Sequence, residues 1–64
     1  MYNLYQHVPE GEKMYLGQYD SLRTCQRATE VGWDILKQRG YVSAIFHCEK
    51  AETNEPSVGW VYKE

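Results

Sequence analysis

The sequence predicts an α+β fold in which a single helix packs on one face of an antiparallel sheet, with the element order β-β-α-β-β. Four short segments alternate between apolar and polar residues, as half-buried strands do. One longer segment between them follows a helical period instead. The chain has 64 residues, which suits one domain spanning residues 1–64 with one shared core.

The start of the chain predicts a first hairpin. Residues 2–8 are rich in Tyr, Leu and Val, and Pro9 and Gly11 in the connection favour a turn. Residues 13–19 alternate between two faces, one with Met14 and Leu16 and the other with Tyr15, Gly17 and Tyr19. If residues 2–8 were irregular, the order would become β-α-β-β, which is the alternative prediction.

Residues 21–39 predict the helix, because their apolar side chains recur at helical spacing. Asp20 or Ser21 can accept a hydrogen bond from a free N–H group of the first turn. Gly40 directly follows Arg39, and a glycine in this position is typical of a helix end.

The helical pattern also predicts how two residues on the apolar side, Gly32 and Trp33, lie relative to the core. Gly32 lies on the apolar stripe, where a missing side chain indicates close approach of a strand or a bulky ring. Trp33 lies at the edge of the stripe, so we expect it at the margin of the core.

Residues 41–50 and 57–63 predict a second hairpin, joined by the polar residues 51–56. The side chains that alternation turns towards the helix are Val42, Ala44, Phe46, Cys48, Trp60 and Tyr62. The predicted core beneath the helix therefore contains Leu4, Leu16, Phe46 and Trp60.

The opposite face of the predicted sheet is rich in tyrosine. The chain has only 12 Leu, Ile, Val and Phe residues but six Tyr, and we expect four or five of these tyrosines outside the core. Tyrosine is enriched at protein interfaces because it combines a large contact area with a polar tip. This face is predicted to carry Tyr5, His7, Tyr15, Tyr19, Tyr41, Ile45 and His47, with Val61 as a further candidate.

The charge balance disfavours several classes of function. Seven basic and nine acidic residues give a net charge of −2, whereas direct nucleic-acid binding needs an excess of Lys and Arg. No apolar run reaches the length of a membrane span. The first 20 residues lack the features of a signal peptide, so a cytoplasmic protein is expected.

The residues that could carry chemistry lack the spacing of a metal site or a catalytic site. His7, Cys25, His47 and Cys48 form none of the paired spacings typical of zinc ligands. His47 and Cys48 are expected to point to opposite sides of one strand, so they cannot form a nucleophile–base pair. We therefore predict no catalytic residues, no metal and no cofactor.

The two cysteines are predicted to point into the same layer, Cys25 from the helix and Cys48 from a strand. They either form a disulfide or remain as two buried thiols, and the sequence leaves both alternatives open. A reducing compartment would favour the thiols.

A set of aromatic and charged residues is predicted to contact a partner. Aromatic side chains would anchor the interface, and charged ones would complement the partner's charge. The candidates are the aromatic residues Tyr5, Tyr15, Tyr41 and Trp33, the basic pair Arg23 and Arg27 on the outer side of the helix, and the acidic residues Glu49, Glu52 and Glu55.

In size, α+β architecture and lack of catalytic motifs, the chain resembles the small accessory proteins of phages and mobile elements, including anti-CRISPR inhibitors. The resemblance rests on these three features. It implies a non-catalytic protein that sterically blocks a host protein or nucleoprotein complex, such as a CRISPR–Cas complex. The alternatives are a small nucleic-acid-binding regulator that uses the aromatic sheet face, and a structural protein that forms a homodimer through it.

Overall fold

The fold is taken from a computed structural model that describes residues 1–8, 11–51 and 57–64. The elements follow the order β-β-α-β-β, which confirms the main prediction over its alternative. Their bounds are β1 Tyr2–His7, β2 Lys13–Tyr19, α1 Leu22–Gln38, β3 Ser43–Lys50 and β4 Val58–Lys63.

The four strands form one antiparallel sheet in the order β2-β1-β3-β4. The two hairpins therefore lie side by side, and β1 and β3 pair with each other at the centre. Leu4 lies opposite Cys48 in this central pair, and Tyr5 lies opposite His47. Because side chains alternate along a strand, the first pair faces α1 and the second faces away from it.

Both ends of α1 are set by the residues that predicted them. The side chain of Ser21 accepts a hydrogen bond from the Thr24 N–H at 3.2 Å. Gly40 has a φ of +93°, and the N–H of Tyr41 donates to the carbonyl oxygen of Leu36 at 3.0 Å. This is the hydrogen bond of a Schellman motif, which favours glycine in the left-handed position.

The core lies between α1 and the sheet. Its buried apolar residues are Leu4, Cys25, Trp33, Ala44, Phe46 and Cys48. Partly buried side chains pack around them, namely Tyr2, Tyr19, Leu22, Ala28, Leu36, Trp60 and Tyr62. A Cβ atom added at Gly32 would lie 3.4 Å from Cζ of Phe46, which confirms the predicted close approach of a bulky ring to this glycine.

Thr29 is a polar residue inside this core, and its hydroxyl group is fully hydrogen-bonded. Its Oγ1 donates to the carbonyl oxygen of Gln26 at 2.6 Å and accepts from the hydroxyl of Tyr62 at 2.6 Å. The second bond joins α1 to β4. A buried hydroxyl without partners would instead be costly.

Cys25 and Cys48 form a disulfide, with their Cα atoms 6.4 Å apart. Of the two alternatives that the sequence left open, the structure therefore contains the bonded pair. The bond joins the first half of α1 to the centre of the sheet, and both cysteines are buried.

A β-bulge in β2 changes which of its side chains face α1. The pairs on either side of it are Leu4–Gly17 and Tyr5–Tyr15. Leu16 is therefore an extra residue on β2, and it reverses the alternation beyond that point. Tyr19 packs against the core, whereas Leu16 is 43% exposed. The predictions of a core Leu16 and of Tyr19 on the opposite face are both wrong.

Three further predictions need correction. Strand β3 begins at Ser43, so Tyr41 and Val42 lie outside the sheet and are exposed. Trp33 is only 7% exposed and belongs to the core rather than to its margin. Three of the six tyrosines pack against the core, which leaves fewer outside it than the four or five expected. These three are Tyr2, Tyr19 and Tyr62.

Candidate functional site

The face of the sheet opposite α1 is the candidate site, and we call it the open face. It is built from alternate positions of all four strands. Its members include Asn3, Tyr5, His7, Lys13, Tyr15, Gln18, Ser43, Ile45, His47, Glu49 and Val61. Tyr15 is 56% exposed and Ile45 is 45% exposed, so apolar surface on this face is accessible to a partner.

Aromatic rings pack against one another at the centre of the open face. The ring of Tyr5 stacks on His47, with centroids 5.2 Å apart and planes 20° apart. Tyr15 on β2 tilts against Tyr5 at a centroid distance of 5.6 Å. Because these rings sit opposite one another on neighbouring strands, the register of the sheet holds them in place.

His47 lies at the centre of a polar cluster, and its two ring nitrogens contact His7 on β1 and Glu49 on β3. Its Nδ1 lies 2.7 Å from Nε2 of His7, and its Nε2 lies 3.4 Å from the Glu49 carboxylate. The carboxylate favours the proton on Nε2 of His47, and Nδ1 then accepts from the N–H of His7. Glu49 also pairs with Lys13 at 3.1 Å, and this ammonium group lies 4.5 Å from the ring centre of Tyr5.

The environment lowers the pKa of both His47 and Glu49. For His47 the largest cause is burial, since the residue is only 7% exposed, and electrostatic interactions with the neighbouring His7 and Lys13 side chains act in the same direction. The contact with Glu49 opposes these effects. For Glu49 the largest cause is the hydrogen bond from Lys13, which stabilises the ionised carboxylate.

We expect the protein to lose stability as the pH falls from 7.5 to 5.5. His47 has a lowered pKa when folded, so the unfolded chain takes up its proton first, near the ordinary value of 6.5. Stability is therefore fully present above that pH and declines below it. Glu49 acts in the same direction below its ordinary value of 4.5. Urea unfolding at a series of pH values measures the effect.

The matched control for this pH series is His47→Gln, which removes the titrating group. Its unfolding free energy should vary less with pH between 7.5 and 5.5 than that of the parent protein. Parallel curves for the two proteins would show that His47 is not responsible for the decline.

A surface pocket lies at the end of the open face, where β1 stops and β3 begins. Its volume is about 260 Å³, just below the range of about 300–1,000 Å³ that is usual for small-molecule sites. Its lining includes His7, Tyr41, Ser43 and Ile45. The structure thus brings Tyr41 close to the open face, although it lies outside the sheet.

The predicted contact residues divide between different parts of the molecule. Tyr5, Tyr15 and Glu49 lie together on the open face. Arg23 and Arg27 are exposed on α1, which is on the other side of the sheet. One flat partner surface therefore cannot contact both groups. Trp33 is buried and offers a partner little surface, and Glu52 and Glu55 lie outside the described residues.

Sequence reasoning missed the contact between His7 and His47 and the position of Lys13. Alternation places His7 and His47 on one face, but only the register between β1 and β3 shows that their rings meet. Lys13 starts β2 next to a turn, where lysine is normally solvated, so its place in the sequence does not indicate this contact.

The described part of the chain contains neither a metal-binding cluster nor a membrane-spanning helix. Within residues 1–8, 11–51 and 57–64, no three or more His, Cys, Asp or Glu side chains are grouped so as to hold a metal ion. The helix in this part of the chain is not long and apolar enough to cross a membrane. No protein-family model, curated protein or solved structure matches this chain.

Proposed function

We propose that this chain is a non-catalytic binding module that docks its open face on a partner protein. The observation that carries the proposal is a sheet face that no other described element covers and that exposes apolar side chains, chiefly Tyr15, Ile45 and Val61. Accessible apolar patches of this kind mark interaction sites on soluble proteins.

The rings at the centre of the open face support tight docking. Tyr5, Tyr15 and His47 already fix one another through stacked and tilted contacts. An interface built from ordered side chains loses less conformational entropy on binding. Aromatic residues surrounded by smaller contacts also match the composition of binding hot spots.

The charges on this face favour a protein partner over a nucleic acid. Lys13 is paired with Glu49, so its charge is locally balanced. Binding to a phosphate backbone depends instead on several unbalanced Lys and Arg side chains. A largely neutral, aromatic surface complements the apolar centre of a protein interface.

The form of binding that we propose is steric inhibition of a host nucleoprotein complex, of the kind implied by the resemblance to anti-CRISPR proteins. The open face would cover a surface on which the complex binds nucleic acid or another subunit. The protein would act in the cytoplasm, where such complexes work and where the reducing environment favours the thiol forms of Cys25 and Cys48 over the disulfide. It would need no cofactor.

The test compares two sets of truncations at exposed residues. Tyr15→Ala/Ile45→Ala removes apolar contacts from the open face, and Val31→Ala removes a similar contact from α1, where Val31 is 53% exposed. The partner is a purified CRISPR effector complex, and binding is measured by biolayer interferometry. We expect the double variant to bind at least about tenfold more weakly, which is about 1.4 kcal/mol. Val31→Ala should bind like the parent protein.

Three outcomes would contradict the proposal. One is equal loss of binding in the double variant and in Val31→Ala. Another is tight binding of a bare RNA oligonucleotide that weakens steeply with salt, which would favour the nucleic-acid regulator. The third is a stable dimer at tens of micromolar that Tyr15→Ala/Ile45→Ala converts to a monomer, which would favour the structural homodimer.

A further inference from the structure

The two histidines of the chain meet on the open face. The sequence contains only His7 and His47, and the pairing of β1 with β3 brings them together. Nε2 of His7 and Nδ1 of His47 are 2.7 Å apart, and this hydrogen bond already brings two nitrogen ligands together. Docking of a protein partner makes no use of this convergence.

We propose that these two nitrogens bind one divalent transition-metal ion, with Cu²⁺ preferred. Imidazole nitrogen binds such ions at about 2.0–2.1 Å. Two such nitrogens at a right angle, as in a tetragonal Cu²⁺ site, lie about 2.9 Å apart. The observed separation of 2.7 Å therefore has to widen by only about 0.2 Å, whereas a tetrahedral Zn²⁺ site needs about 3.3 Å.

Glu49 fixes the protonation state of His47 that metal binding requires. Its carboxylate lies 3.4 Å from Nε2, which is the ring nitrogen that does not face His7. A carboxylate in this position fixes the proton on the far nitrogen and leaves a lone pair on the near one, as in many metal sites. Stacking on Tyr5 further limits rotation of the His47 ring. Glu49 is thus a positioning residue rather than a ligand.

His7 is the metal ligand whose ring is free to change its orientation. It is exposed at the end of β1, so its ring can turn and shift its proton to Nδ1 while Nε2 binds the metal. Solvent reaches the ion from the same side and completes its coordination. The positive charge of Lys13 lies nearby but is paired with Glu49, which reduces its repulsion of the ion.

The experiment titrates the full chain with Cu²⁺ alone and counts the bound imidazole nitrogens by electron paramagnetic resonance. We expect two imidazole nitrogens in the parent protein and one in His7→Gln, which should fold normally because His7 is exposed. Glu49→Gln should bind about 10- to 100-fold more weakly. Glu30→Gln on α1 is the matched control and should bind normally.

Competition with other ions completes the test. Cu²⁺ should bind more tightly than Ni²⁺ or Zn²⁺. Fewer than two imidazole nitrogens in the parent protein, or unchanged affinity in His7→Gln, would overturn the proposal, because Cu²⁺ would then be held by other groups such as the amino terminus. None of these outcomes depends on whether the open face docks a protein.

Discussion

Replacing both cysteines, as Cys25→Ala/Cys48→Ala, is expected to lower the free energy of unfolding by about 3 kcal/mol. The disulfide closes a loop across a sequence separation of 23 residues, so its loss restores chain entropy to the unfolded state. A domain of this length has a total stability of roughly 3–10 kcal/mol. The disulfide therefore accounts for a large share of it.

Urea unfolding with and without a reductant measures this effect. The reductant should lower the midpoint of the parent protein and leave that of the double variant unchanged. If the reductant does not change the urea midpoint of the parent protein, the two cysteines are not bonded. Alkylation of thiols in intact cells also tests the predicted cytoplasmic location, because reducing compartments keep cysteines as thiols.

Phe46→Ala should cost about 3–5 kcal/mol, which is enough to unfold much of the population. The ring of Phe46 is buried, lies against the backbone of Gly32 and meets Tyr62 edge-on at a centroid distance of 5.9 Å. Its removal leaves a cavity between α1 and the sheet that neither element can fill.

The neighbouring substitution Ile45→Ala is the control for this prediction. Ile45 occupies the same strand but points to the open face and is 45% exposed, so its truncation should cost much less. Circular dichroism during thermal and urea unfolding compares the two variants. Similar losses of stability at both positions would contradict the assignment of the two faces of β3.

Local patterns were sufficient to predict the element order and the ends of the helix. Ser21 and Gly40 act through hydrogen bonds and backbone angles within a few residues, so their roles can be read from sequence. The inward position of Phe46 follows from simple alternation, because Ala44, Phe46 and Cys48 are all buried in the core.

The missed features depend on interactions between distant segments. The bulge at Leu16 reverses the alternation of β2, and nothing in residues 13–19 alone indicates an extra residue there. Trp33 lies in the core and packs beside Tyr62 from β4, with ring centroids 6.1 Å apart. The contact of His7 with His47 likewise requires the register of strands that are far apart in the chain.

In a small protein, a change on an exposed face usually also affects stability. The bulge in β2 separates these two properties. At the centre of the sheet, His47 and Cys48 are adjacent, so a change on the open face is one peptide bond from the disulfide. Tyr15 lies on the edge strand β2, next to Leu16, which does not belong to the core. Variation at Tyr15 and Leu16 can therefore change the open face at little cost in stability, so under the proposed function this edge is the place where partner specificity would change.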